Sequence, residues 1–306
     1  MVGMEEAVHS SDEAPGSSGT GVMTRIREYV ELLILTLLAA LFLKFFVVEA
    51  YRIPTGSMEN TLLTGDFVLV NKFIYGAQTP RYVPFTGIRL PSTRFPAITS
   101  PRRGDVVVFE FPGDHAGDNI HEVVNYVKRC IAVPGDTLTI ANKIVFVNGH
   151  AVPLPYLGKS GRSIVYPRGF HDYRIFPRGA AFNEDNFGPI IIPRAGMKVN
   201  LTSDDVTEYW DLIEREGHIV SSTASSLVLI DGVPAETYTI KKDYYFMMGD
   251  NRDNSLDSRF WGFVPSDLII GKAFMVYWSW DESASSAGFF SRFESTRWNR
   301  IGSIVR

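Results

Sequence analysis

The sequence predicts a mainly β protein, its antiparallel sheets folded on themselves into a sandwich or barrel-like body, with one transmembrane helix ahead of it. Three observations carry this. Short β-branched or aromatic runs recur between Gly, Pro, Asn and Asp residues along most of the chain. One segment of the body, Val206 to Ile213, has helical periodicity. One long apolar stretch, Val30 to Val48, precedes them all.

That stretch follows Arg25 and Arg27 and is interrupted only by Glu31, Thr36 and Lys44. As a helix its nineteen residues would span about 28 Å, enough for a hydrocarbon core. A buried soluble helix would show a polar face, and a cleaved leader has a shorter apolar region. A retained anchor over residues 25–50 is therefore expected, with Lys44 snorkelling to the interface. Residues 1–24, rich in Ser, Gly, Glu and Asp, read as a disordered tail. Arg25 and Arg27 before the anchor nearly balance Lys44 and Arg52 after it, so charge alone leaves its orientation open.

Beyond it, Phe67–Val70, Val106–Phe111, Tyr126–Val133, Lys143–Val147, Leu227–Ile230, Tyr244–Met248 and Ile269–Tyr277 read as strands. Asp231-Gly232 is a hairpin-turn signal. In the helix, Val206, Tyr209, Trp210 and Ile213 share a face, with Thr202 or Ser203 as N-cap and Gly217 as stop. Gln78 to Arg103, with five prolines, reads as a long loop, and Pro153 to Pro193 as irregular.

Composition narrows the function. The 306 residues are 45% hydrophobic and 21% charged, a globular balance with ample core. A net charge of −4 gives no basic footprint for nucleic acid. The single cysteine, Cys130, and six scattered histidines offer no disulfide framework and no ligand spacing, so no metal or cofactor is expected.

Chemistry is suggested at three places. Tyr51 to Met58 puts Ser57 on a turn constrained by Pro54 and Gly56, with the Thr55 hydroxyl two positions earlier. This suits a nucleophile whose own N–H and a neighbouring hydroxyl face a carbonyl oxygen, though an ordinary loop fits the motif alone. A serine needs a base, and G-x-S-x-G is absent. Lys128 is the candidate: on a strand it shares a face with Tyr126, Cys130 and Ala132, where lost hydration would lower its pKa. An exposed edge-strand lysine is the competing reading. The third place is Gly249 to Arg259, where Asp, Asn and Arg make up seven of eleven residues. It reads as a hydrophilic loop, a calcium-like D-x-N-x-D site, or a braced network in which Arg–Asp pairs hold a turn and Ser255 orients the base.

Together, and in this order, these clusters resemble bacterial type I signal peptidases, membrane-bound Ser–Lys proteases that remove signal peptides from exported proteins. The resemblance rests on the anchor followed by Pro54-Thr55-Gly56-Ser57-Met58 and Thr61-Leu62-Leu63-Thr64-Gly65-Asp66. It continues through Arg103-Gly104-Asp105-Val106-Val107-Val108-Phe109, Tyr126-Val127-Lys128-Arg129 with Pro134-Gly135-Asp136, and Gly249-Asp250-Asn251-Arg252-Asp253-Asn254-Ser255 through Arg259. It implies Ser57 as nucleophile, Lys128 as general base, and Ser255 bonded to the lysine ammonium. The oxyanion hole would be the Ser57 N–H and the Thr55 hydroxyl. Tyr51, Ile53, Met58, Leu62, Val68, Val108, Tyr126 and Val127 would line pockets for small residues one and three positions before the cleaved bond. Arg129, Asp250, Asp257 and Arg259 would support the site.

The implied fold is a barrel-like catalytic body of coiled antiparallel sheets. Its core would comprise residues 51–136 and 241–280, with a β-rich subdomain carrying one helix inserted at 137–240. Residues 281–306 would be a tail, its Phe289–Phe293, Trp298 and Arg300 a possible membrane contact. The expected partners are preproteins, the lipid bilayer and, by proximity, the export translocon. The expected place is the bacterial inner membrane with the catalytic body on its outer face. Asn186-Phe187-Gly188-Pro189 resembles a family turn, but about sixty residues separate it from Gly249. Rival readings are a conjugation-type maturation protease with the same dyad, a self-cleaving regulator, and a catalytically inactive membrane-anchored binding protein.

Overall fold

The structure is a computed structural model and describes residues 19–79, 91, 93–113, 124–201, 206–223, 227–282 and 294–306. The chain divides into two units, Met1–Lys44 and Phe45–Arg306. Most of the expected N-terminal tail and the Thr202 or Ser203 cap lie outside the described residues.

In the first unit, α1 (Gly19–Phe42) exposes its large apolar side chains on every face, among them Ile26, Leu33, Leu37 and Leu41. No helix of the described residues is long and apolar enough to cross a membrane. The expected anchor is charged in its N-terminal half and leaves the α-helix at its C-terminal end. Arg25, Arg27, Glu28 and Glu31 occupy its first half. The uncharged run Leu32 to Phe42 would span only about 16 Å as helix, against about 30 Å of hydrocarbon. Leu43–Val47 then widens to a π-helix, and Val48 opens a strand.

The second unit begins with β1 (Val48–Arg52), which the apolar run concealed in the sequence. β2 (Asp66–Asn71), β3 (Val106–Glu110) and β4 (Asn125–Ala132) follow. The insertion supplies β5 (Thr137–Ala141), β6 (Ile144–Val147), β7 (His150–Val152), β8 (Phe187–Ile191) and β9 (Lys198–Asn200). It continues with α2 (Val206–Arg215), β10 (Val220–Ser222), β11 (Val228–Ile230), β12 (Val233–Pro234) and β13 (Thr237–Thr239). The chain returns through β14 (Tyr244–Met248), α3 (Ser258–Trp261), β15 (Val264–Pro265) and β16 (Ile269–Ser279).

Seven strands form one antiparallel sheet in the order β1-β2-β16-β3-β4-β14-β15. Bulges interrupt β16 against both neighbours and β14 against β4. Each bulge bends its strand and adds twist, which curls a long sheet. Gly271 permits the close approach of β16 to β2, since a Cβ there would sit 2.4 Å from the Asn71 carbonyl oxygen. One apolar cluster joins Ile53, Met58, Leu62, Val68, Val70 and Val108; another joins Tyr75, Val107, Phe109, Cys130 and Met247.

The insertion holds small sheets, β7-β6-β5-β8, β10-β11-β12 and β13-β9. Among the described residues it has no separate core. Leu138, Phe187 and Ile213 pack in one cluster with Ile131, Ala132, Tyr244 and Phe246 of the large sheet. Glu216, just past α2, accepts hydrogen bonds from the hydroxyls of Tyr238 (2.6 Å) and Tyr244 (2.9 Å). The Asp231-Gly232 hairpin forms as expected, with φ of 52° and 79°. β8 was hidden in the stretch read as irregular, where Pro and Asn interrupt its pattern.

The expected C-terminal tail needs correction. Residues 294–306 fold back onto the body: Trp280 bridges Thr296 and Met275 bridges Ile304. Arg300 pairs with fully buried Asp66 at 2.5 Å and donates to the Thr61 carbonyl at 3.1 Å. The rings of Trp298 and Trp278 pack edge to face. A guanidinium committed to a buried carboxylate is a structural brace, which removes Arg300 from the proposed membrane contact. Phe289–Phe293 lie outside the described residues.

Candidate active site

Ser57 occupies a single 3-10 turn, Gly56–Met58. Pro54 cannot extend a helix backwards, and Thr55 is extended (φ −133°, ψ 156°), so the turn stands alone. Its anchor is Met58, 1% exposed among Ile53 and the neighbouring valines. The exposed Thr55 side chain makes no capping bond to the turn.

Lys128 reaches Ser57 from β4. The edge-strand reading fails, because β4 is paired on both sides, with Lys128 opposite Val107 of β3. On the other side Met248 is opposite Arg129, and the ladder stops where Gly249 would face Lys128. The chain leaves the sheet there, and the lysine side chain meets Ser57. The Nζ–Oγ distance is 2.6 Å. Lys128 is 4% exposed, and burial lowers its pKa from 10.5 to about 8. The Asp257 and Asp250 carboxylates oppose that shift, and Arg259 adds to it. The Tyr126 ring lies 5.3 Å from Nζ.

A cavity of about 480 Å³ opens on this pair. Tyr51, Ile53, Thr55, Met58, Tyr126 and Val127 line it, with Leu256 and Asn254 from the polar loop. Leu62, Val68 and Val108 do not. They are at most 1% exposed, in the same cluster as Ile53 and Met58, so they support the wall from behind. The strand pattern marked them as apolar but could not separate lining from backing, since a curled sheet buries both.

The Gly249–Arg259 loop is a braced network. Arg129 grips Asp250 with two hydrogen bonds (2.8 and 2.6 Å), and Asp250 also accepts from the Thr61 hydroxyl at 2.6 Å. Arg259 grips Asp257 at 2.8 and 2.9 Å. Burial alone would push the Asp257 carboxyl up, but Arg259 and its hydrogen bonds hold it below the usual range. Lys143 pairs with Asp253 at 2.9 Å. All three aspartates are thus committed to cations, which a calcium ion would have to displace.

Ser255 differs from its expected place. Its buried hydroxyl makes no well-directed hydrogen bond and none to Lys128, whose bond goes to Ser57. It leans toward the backbone at Gly249 and helps keep Asp257 ionised. Asn251 is a residue the sequence reading missed. Its N–H donates to the Ser57 carbonyl at 3.0 Å, and its Nδ2 to the Gly56 carbonyl at 3.1 Å. The density of the loop was the available signal, but no spacing says which of its amides faces Ser57.

Gly249 sits between these groups. A Cβ there would lie 2.2 Å from Ser255 Oγ and 2.5 Å from the Ser57 carbonyl oxygen. Gly249→Ala should therefore displace the serine turn and lower kcat by about 100-fold. A kcat within threefold of wild type in steady-state assays would show that the turn tolerates the intrusion.

Chemically, a hydroxyl beside a buried amine that is readily neutral can be deprotonated as it attacks a carbonyl carbon. Residues 26–278 match the family described as signal peptidase, peptidase S26. Signal peptidase I of Pseudomonas aeruginosa is 33% identical over 279 residues, covering 87% of this chain and 77% of that protein. Signal peptidase I of Aquifex aeolicus is 33% identical over 267 residues, covering 83% and 85%. The protein of the same name from Buchnera aphidicola subsp. Acyrthosiphon pisum is 33% identical over 285 residues, covering 87% and 78%. The chain belongs to the peptidase S26 family of signal peptidases, which are serine proteases.

Proposed function

We propose that this protein removes N-terminal signal peptides from exported preproteins by acyl transfer at Ser57, with Lys128 as general base. The observation that carries this is the 2.6 Å contact between Ser57 Oγ and the buried Lys128 amine. Neutral Nζ takes the hydroxyl proton as Oγ bonds to the scissile carbonyl carbon. The carbonyl electron pair moves to oxygen, where the Ser57 N–H and the Thr55 hydroxyl receive it. The ammonium then gives its proton to the leaving amine as the C–N bond breaks. Water, deprotonated by the same amine, releases the acyl group and restores Ser57.

The apolar cavity wall supports a preference for small residues before the cleaved bond. Bulk meets Tyr51, Ile53, Met58, Tyr126 and Val127, and a charge would be desolvated without a partner. The all-round apolar exposure of α1 supports attachment to a lipid bilayer. Removal of signal peptides after export would put the catalytic body on the outer face of the bacterial inner membrane, near the translocon. The test is cleavage of a purified preprotein carrying an Ala-x-Ala site by detergent-solubilised protein. Wild type should cut after the second Ala, and Ser57→Ala should lose about 10³-fold or more of kcat. A Ser57→Ala variant that keeps wild-type activity would remove this serine from the reaction.

A further inference from the structure

We propose that Glu59, Asn251 and Lys159 form a positioning clamp through which the insertion sets the orientation of Ser57; this rests on the reading of Ser57 as nucleophile. A three-residue turn without a side-chain cap has little rigidity of its own, so its orientation depends on outside bonds. Asn251 provides them on one side through the carbonyls of Gly56 and Ser57. The same Nδ2 donates to Glu59 Oε2 at 3.0 Å. Both partners of this amide are acceptors, which fixes its orientation.

Glu59 Oε2 also receives Lys159 Nζ at 2.7 Å. Lys159 comes from the Pro153–Pro193 segment, which is stitched to the polar loop by main-chain bonds. Its N–H donates to the Asp250 carbonyl and its carbonyl accepts from Arg252 N–H, both at 2.9 Å. Ser160 Oγ (3.0 Å) and Arg162 N–H (2.8 Å) then converge on Asp253, which already holds Lys143. The insertion therefore places a cation on Glu59, two residues past Ser57. The Lys159 and Glu59 side chains are 38% and 39% exposed, so their pair adds little to stability. Its effect is geometric: it restrains Glu59, which restrains the Asn251 amide and the turn.

The test compares kcat, KM, pH profile and melting temperature of wild type, Lys159→Met and Lys159→Arg on the preprotein. Lys159→Met should lose about 10-fold in kcat, because small misplacements of a reacting group are costly. Its KM, pH midpoint and melting temperature should stay those of wild type, and Lys159→Arg should restore kcat. Three results overturn the clamp while the proposed function stands: Lys159→Met with wild-type kcat, a loss confined to KM, or a loss that follows a lowered melting temperature. Wild type that cleaves no preprotein overturns the proposed function, and the clamp with it.

Discussion

Lys128→Met should lose about 10³-fold or more in kcat and, at neutral pH, should be more stable than the wild type. The first follows from the amine's place beside Ser57, the second from its burial. With a folded-state pKa of about 8, roughly a tenth of the amine is neutral at pH 7, against about 0.03% for a lysine at 10.5. The wild-type rate should therefore rise about tenfold per pH unit below 8 and level off above it.

The stability sign runs the other way from a salt-bridged group. Between pH 8 and 10.5 the unfolded chain holds a proton on this lysine that the folded chain has released, so stability rises with pH across that window. Below pH 8 both states are protonated, and the fold carries the full cost of the buried ammonium, about 3 kcal/mol. Met removes that charge with little change of shape. Its gain in melting temperature at pH 7 should shrink as pH rises from 8 toward 10.5. Denaturation at pH 7 and 10 measures it. A variant less stable than wild type at pH 7 would mean that the ammonium is stabilised in the fold, contrary to the lowered pKa.

Asp250→Ala should cost about 3–5 kcal/mol of stability. The loss strands the Arg129 guanidinium, whose side chain is 6% exposed, and leaves the Thr61 hydroxyl without its acceptor. Arg129 would keep only the main-chain oxygens of Gly104 (2.6 Å) and Arg306 (2.9 Å). Asp250→Asn, which retains an acceptor, should cost less. Urea denaturation checks both. A kinetic signature accompanies the loss, because Asp250 raises the Lys128 pKa. In Asp250→Ala protein that remains folded, the midpoint of the rate profile should move below 8. A midpoint that moves up would show that this carboxylate does not act on the lysine through its charge.

Much of this molecule was legible in the chain. Strands such as Val106–Glu110 and Tyr244–Met248 announce themselves because β-branched and aromatic runs bounded by turn residues have few alternatives. Helix α2 follows from its 3.6-residue stripe, and Ser57 and Lys128 from motifs whose residue types suit acyl transfer. The apolar run before Ser57 was misread at its C-terminal end. Val48–Arg52 are as compatible with a strand as with a helix, and pairing with Phe67–Asn71 decides the matter. Ser255 was expected on the lysine, but its direction depends on how tightly Gly249 lets the loop pack.

What the sequence by itself determined is the family and the mainly β body, and it singled out Ser57 and Lys128 as the candidate pair, because these rest on local patterns and on residue chemistry. Tertiary structure alone decided that Lys128 is interior, where burial lowers its pKa, that Leu62, Val68 and Val108 back the cavity rather than line it, and that Lys159 reaches Glu59, next to the serine turn, from the insertion. Burial, field and contact are sums over groups far apart in the chain, and no local pattern contains them.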